Sequence, residues 1–365
     1  MTAQVLIGLS GGVDSAVAAW KLRESGVDVE AVFMKNWEED DTEEYCAAAA
    51  DLADARAICD LLDLRLHTIN FSSEYWDRVF QVFLAEYSAG RTPNPDILCN
   101  REIKFRAFLD YARTLGAERI ATGHYAGIRF HGLTPELIQA EDRDKDQTYF
   151  LHRLDQQQIA AAHFPLHGMT KQETREQARR IGLPVHDKKD STGICFIGER
   201  RFQDFLANYI PAHPGPIVDS SGRKLGEHQG LAFQTIGQRT GLGIGGVSGS
   251  NEGPWYVVGK DMESGQVTVT QDRDHPALNV RVLEIEPPHW IAGIPPEERA
   301  LKARIRHRQP LQDCRLEQGG DVYRVSFTEP QWAPAPGQSV VFYLGEVCLG
   351  GGIILKALCE SERPS

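Results

Sequence analysis

Val5-Leu6-Ile7-Gly8-Leu9-Ser10-Gly11-Gly12-Val13-Asp14-Ser15, running on into Ala16-Val17-Ala18-Ala19-Trp20-Lys21-Leu22, decides the fold. An apolar run passes through glycines and serines into a helix-forming run, so the stretch reads strand, turn, helix. A turn of this kind leaves backbone N–H groups unpaired at the helix start. Those donors and the helix dipole favour a phosphate. Ser10, Asp14 and Ser15 add side chains able to bond phosphates or hold a magnesium ion. The stretch is not the lysine-bearing P-loop, since no Gly-Lys-Ser/Thr closes it, and it lacks the Gly-x-Gly-x-x-Gly of dinucleotide sites.

Working outward, Gly26 is placed to stop the first helix, and Val27–Met34 reads as a second, mostly buried strand. Asp51–Leu62 has helical periodicity, with Leu52, Ala55, Ile58, Cys59 and Leu62 on one face. Arg65–Phe71 reads as a strand, and Glu74–Ser88 as a helix striped with Trp76, Val79, Phe80, Phe83 and Tyr87. This β-α-β-α order is that of a doubly wound parallel sheet, whose ligands sit at the carboxyl ends of the strands. Met34 ends one such strand. Thr122-Gly123-His124-Tyr125 ends another, read over Glu118–Ala121.

Between them, Gly90–Asn100 carries Pro93 and Pro95 and reads as a stiff loop delivering Asp96 and Cys99 just before a helix at Glu102–Leu115. A thiol at a helix start tends toward a lowered pKa, and the thiolate is the nucleophile. Further on, Thr170-x-x-Glu173 is a capping box opening a helix to Ile181. That helix, with Lys188 and Lys189, forms a basic patch. A second cysteine lies in Gly193-Ile194-Cys195-Phe196, and Phe202, Phe205 and Leu206 begin another helix. The character changes near 210: glycine turns alternate with short strands to about 278, and from Asn279 longer alternating runs read as a closed or nearly closed β-barrel. The expected domains are 1–209, 210–278 and 279–365, in keeping with a length of 365 residues that exceeds one comfortable core.

The chain carries a net charge of −12, which taken as a sum argues against nucleic acid. The charge is uneven, however. Acids crowd 38–54, whereas Arg299–Gln312 holds Arg299, Lys302, Arg304, Arg306 and Arg308 with no acid. A phosphate backbone responds to local potential, although such a run also suits a solvated strand face. Met1-Thr2-Ala3-Gln4 has no basic n-region, and no apolar run approaches membrane-span length. Seven cysteines, an odd count with no Cys-x-x-Cys, suit a reducing compartment. A cytoplasmic location without membrane contact is therefore expected.

Five motifs stand in one order: Gly8–Ser15, Asn94-Pro95-Asp96-x-x-Cys99-Asn100, Thr122-Gly123-His124-Tyr125, Lys145-Asp146-Gln147 and Gly193-Ile194-Cys195-Phe196. The first resembles the loop of ATP pyrophosphatases. Together they resemble the tRNA-specific 2-thiouridylases of bacteria and organelles. The resemblance implies that Gly8, Leu9, Ser10, Gly11, Gly12, Val13, Asp14, Ser15, Met34 and Gly123 bind ATP, with Mg²⁺. Asn94, Pro95 and Asp96 would meet the target base, with Asp96 a candidate general acid or base. Cys99 would be the nucleophilic, disulfide-forming cysteine, and Cys195 would carry the persulfide. His124, Lys145, Asp146, Gln147, Arg306, His307 and Gln338 would contact tRNA; many members carry Tyr where this chain has His307. The implied chemistry is adenylation of the wobble uridine at C2, then attack by persulfide sulfur supplied by a cysteine desulfurase or relay protein. Two other readings stand beside it: an ATP pyrophosphatase that adenylates an acid, as amide-forming synthetases do, and a tRNA-binding protein without chemistry.

Overall fold

The computed structural model describes residues 4–38, 47–190, 202–244, 253–297 and 300–358. Strands β1 (Val5–Gly8), β2 (Val29–Lys35) and β3 (Leu66–Asn70), with β4 (Arg119–Ala121) and β7 (Ala162–His163), make a five-stranded sheet in the order β3-β2-β1-β4-β7. Every pairing is parallel. Buried apolar side chains cover both faces. One face carries Leu6, Val32 and Ile120 toward Phe80, Phe105 and Phe108. The other carries Val5, Ile7 and Ala31 toward helix α1 (Val13–Glu24) and helix α2 (Ala47–Leu62). Apolar residues on both faces are what a parallel sheet between helices requires.

Two long helical stretches cover the first face: α3 over 72–88, with Trp76–Phe80 wound as π-helix, and α4 over 95–114, with Asn100–Ala107 wound likewise. The start of α4 at Pro95 corrects the expectation of a loop over Gly90–Asn100. Asn94 is extended and its side chain accepts the Asp96 N–H at 3.1 Å, while Pro95 takes the first helical position. Proline there loses no hydrogen bond, because that N–H has no helical partner anyway. The prolines read as loop stiffeners in fact start the helix.

An antiparallel hairpin that periodicity did not single out, β5 (Ala126–His131) and β6 (Thr134–Gln139), leaves the parallel sheet. Short helices α5 (Thr148–Leu151) and α6 (Gln156–Ala161) come next, then α7 (Lys171–Arg180), opened by the expected reciprocal Thr170–Glu173 capping box. Helix α8 (Phe202–Leu206) brings Phe205 against Trp37 and Phe80.

The middle module is a four-stranded sheet of β8 (Gly215–Asp219), β9 (Lys224–His228), β10 (Tyr256–Asp261) and β11 (Gln266–Thr270), ordered β10-β11-β8-β9. The last region holds β12 (Asn279–Ile285), β13 (His289–Trp290), β14 (Ala300–Arg304), β15 (Gln312–Gly319), β16 (Val322–Trp332), β17 (Ser339–Leu344) and β18 (Val347–Leu358). Six of these close a barrel, β12-β16-β15-β14-β17-β18, with β18 pairing back onto β12. Closure leaves no free edge within that ring. The hairpin attaches to it through β6 on β18, so one sheet runs from the first region of the chain into the last.

Candidate active site

The turn after β1 is held from within. Ser10 N–H donates to Ser15 Oγ at 3.2 Å, and Ser15 Oγ donates to the Gly12 carbonyl at 3.1 Å. Gly11 has φ of +71°, and a Cβ there would lie 2.5 Å from the Asp51 carbonyl oxygen. Glycine is required on both counts. Gly12 is the N-cap of α1 and supplies no side-chain cap, so the helix's first N–H groups keep no side-chain partner from it. Gly8 faces Met34, whose Cε would sit 2.9 Å from an added Cβ, and Gly123 lies against Asp14 and Ser15, 2.7 Å from Ser15 N by the same measure. The ends of β1, β2 and β4 thus converge on one loop. The expected nucleotide residues are brought together there.

The loop is ringed by cations from a later part of the chain. Lys171 Nζ, on α7, lies 2.7 and 2.8 Å from the two Asp14 carboxylate oxygens and 2.7 Å from Asp190. Arg175 and Lys145 also pair with Asp190, at 2.6 and 3.2 Å. Lys188 donates to the Gly11 carbonyl at 3.1 Å and pairs with Asp51 and Asp54. Sequence reading marked Lys171, Arg175 and Lys188 only as a basic patch, and Lys145 as a tRNA contact. The signal that could have placed them is their position on and just beyond a capped helix that packs on α1.

Asp96 and Cys99 stand three residues apart at the start of α4, the spacing that puts two side chains on one face about 5–6 Å apart at Cβ. Asp96 is half-buried; burial raises its carboxyl above the ordinary value while Lys104 opposes the shift. Cys99 is 1% exposed and belongs to the apolar cluster of Ile97, Ile103 and Phe105. It therefore sits in the second turn of a helix rather than in the polar loop expected of it. Phe105, on the same helix, lies 5.9 Å from the His124 ring, and His124 follows Gly123 at the phosphate-type loop. Burial holds the His124 imidazole well below its usual pKa, with Lys104 adding to the effect, and its Nδ1 lies 2.8 Å from Thr122 Oγ1. Cys195 and its motif lie outside the described residues.

The residues expected to contact tRNA divide. Asp146 is 1% exposed and Arg304 is 4% exposed. They form a buried ion pair that also binds Thr148 and Tyr343. The Asp146 carboxylate and the Arg304 guanidinium accordingly face each other and not solvent. His307 Nε2 lies 2.7 Å from the Asp146 carbonyl, and Gln147 Oε1 accepts the Tyr125 N–H at 2.8 Å. Arg306 is exposed, stacked over Trp332 at 5.2 Å, and Arg308 is exposed as well. Gln338 Nε2 donates to the Thr92 carbonyl at 2.6 Å.

Three family models match the chain consecutively: a tRNA methyl transferase HUP domain over 3–199, a tRNA methyl transferase PRC-barrel domain over 203–271 and an aminomethyltransferase beta-barrel domain over 280–354. A tRNA-specific 2-thiouridylase from Pseudomonas paraeruginosa is 56% identical over 97% of this chain and 95% of its own. The chain belongs to the tRNA-specific 2-thiouridylase family. The thiouridylase from Hahella chejuensis is 54% identical over 96% of this chain and 97% of its own. The domain descriptions speak of methyl transfer, yet it is the thiouridylases that match this chain end to end. A 4-thiouridine synthetase in complex with RNA and ATP aligns over 56% of this chain and 49% of its own, at 21% identity and a TM-score of 0.36.

Proposed function

We propose that this chain is an ATP-dependent tRNA uridine 2-sulfurtransferase. The observation that carries it is the placing of Asp96 and Cys99 on one face of a capped helix whose Phe105 leads through His124 and Gly123 to the phosphate-type loop. The β1–α1 turn would receive the triphosphate, and Met34, packed beside Gly8, would lie against the adenine. Among the described residues no cluster of His, Cys, Asp or Glu is arranged to hold a metal on its own. Magnesium would be held through Asp14 beside the triphosphate and would neutralise charge on the departing pyrophosphate.

The uridine C2 oxygen attacks the α-phosphorus and pyrophosphate leaves, which converts a poor leaving group into AMP. The terminal sulfur of a Cys195 persulfide bonds to C2. Cys99 thiolate then attacks the Cys195 sulfur, the S–S bond of the persulfide breaks toward the base, and AMP departs. The products are 2-thiouridine and a Cys99–Cys195 disulfide, which a thiol reductant reopens. Asp96, whose carboxyl burial raises above the ordinary value, would move the proton at the base. The persulfide is supplied by a cysteine desulfurase or a sulfur-relay protein.

The test uses the purified chain with ATP, magnesium, tRNA and a persulfide donor, reading 2-thiouridine in digested RNA together with AMP. The expected yield is one AMP per thiolated base. Cys99→Ser and Cys195→Ser should each abolish thiolation and leave tRNA affinity within about twofold. AMP formation that needs no tRNA would instead favour the acid-adenylating reading, and RNA binding without AMP the non-catalytic one.

A further inference from the structure

The peptide just upstream of Asp96 is gripped from two directions. Thr92 N–H donates to the Pro336 carbonyl at 2.8 Å, and its carbonyl accepts from Gln338 Nε2 at 2.6 Å; both partners precede β17 in the barrel region. Its hydroxyl lies 3.1 Å from that of Thr235, in the middle module. The fit around it is close. Gly337 has φ of +93°, and a Cβ there would come within 2.8 Å of Thr92 N; a Cβ on Gly90 would lie 2.4 Å from the Met262 sulfur. On the upstream side Arg91 is fixed to α3 by its N–H on the Glu86 carbonyl and by its guanidinium on the Glu86 carboxylate. Thr92 thus bonds to both appended modules, through its main chain to the barrel region and through its side chain to the middle module.

The segment from Pro93 to Asp96 is stiff. Pro93 and Pro95 have fixed φ, and a residue that precedes proline is confined to extended backbone; Asn94 adopts it, with φ of −114° and ψ of 100°. Asn94 then caps the helix through the Asp96 N–H. Few soft torsions remain between residues 92 and 96, so a shift of Thr92 moves Asp96 instead of being absorbed between them.

We propose that Thr92 is a positioning residue for Asp96, through which the middle module and the barrel jointly set where the base-facing carboxylate lies. The inference rests on the function proposed above for Asp96. Its consequence is that the two β modules act on the rate of the chemical step and not only on the hold on RNA. Gln338 makes the connection concrete: the side chain expected to meet tRNA bonds to the peptide that aims Asp96.

The experiment compares Thr92→Val, Thr235→Val, the double variant and Thr92→Ser in the thiolation assay with full-length tRNA, reading kcat, KM for tRNA, tRNA affinity and melting temperature. Valine keeps the branched shape and removes the hydroxyl. Each single valine variant should lower kcat about tenfold, the effect of losing one positioning hydrogen bond, with KM and affinity within about twofold. The double variant should be no slower than the singles, since both remove one contact. Thr92→Ser should stay near the parent rate. An unchanged kcat, a loss that appears in KM or affinity, additive effects of the two valines, or a serine variant as slow as valine would each overturn the proposal. Thr235→Val carries the test if Thr92→Val does not fold. Absence of any 2-thiouridine from the unaltered chain would instead overturn the function on which the inference stands.

Discussion

Arg304 shows how one side chain can be basic and yet closed to RNA. Its guanidinium lies 4.9 Å from the centre of the Tyr343 ring, bonds Asp146 and the Tyr343 hydroxyl, and donates to the His307 carbonyl at 2.9 Å. A buried pair stripped of one partner leaves an uncompensated charge, at a cost of about 3–5 kcal/mol. Arg304→Met or Asp146→Asn is therefore expected to lower unfolding free energy in urea by about that amount. Arg306 and Arg308, a few residues further along the chain, are exposed. Replacing Arg308 with Gln should leave stability within about 0.5 kcal/mol and flatten the salt dependence of tRNA binding by about one slope unit. Arg304, Arg306 and Arg308 looked equivalent in the linear run. What separates them is that Arg304 ends a barrel strand on the face turned away from the barrel core, buried against Asp146 and Tyr343, whereas the other two lie in the turn beyond it.

At the scale of elements, the first βα turn was readable because its requirements are local: an apolar strand, residues that accept positive φ, a helix start. Its crowding was not. Gly123 touches Ser15 only because β4 lies beside β1, which no periodicity states. Gly123→Ala is expected to force apart the β4 end and the α1 start. ATP affinity should fall more than tenfold by calorimetry while far-ultraviolet circular dichroism is kept; unchanged affinity would remove Gly123 from the nucleotide site. The start of α4 was misread for the opposite reason. Its local signals, Asn94 as cap and Pro95 at the first turn, were sufficient, but proline suits a loop and a helix start equally. Asn94→Ala should cost about 1 kcal/mol of stability and, by loosening the Asp96 turn, slow thiolation at unchanged ATP affinity.

At the scale of the whole molecule, the α/β region and the barrel share a buried seam. His152 sits there fully buried, its Nδ1 2.8 Å from the Tyr149 carbonyl, its ring against Gly351 of β18. Burial pushes its pKa down to about 3. The unfolded chain, with an ordinary histidine pKa near 6.5, binds the proton more readily, so the folded state keeps its full advantage above about pH 6.5 and loses it as pH falls toward 3. The loss is at most about 1.4 kcal/mol per pH unit for one such group. Urea unfolding at pH 7 and pH 5 should show a smaller drop for His152→Gln than for the unaltered chain; equal drops would mean that His152 does not titrate on unfolding. The sequence alone determined the parallel sheet, the phosphate-type loop, the barrel's strands and the two cysteine motifs, because periodicity, turn chemistry and residue spacing are properties of neighbours along the chain. Only the tertiary structure decided that Lys171 reaches Asp14, that Asp146 and Arg304 pair in the interior, and that Thr92 meets both β modules. Those contacts join residues 143 to 246 positions apart, and which distant groups meet depends on how whole sheets pack and close.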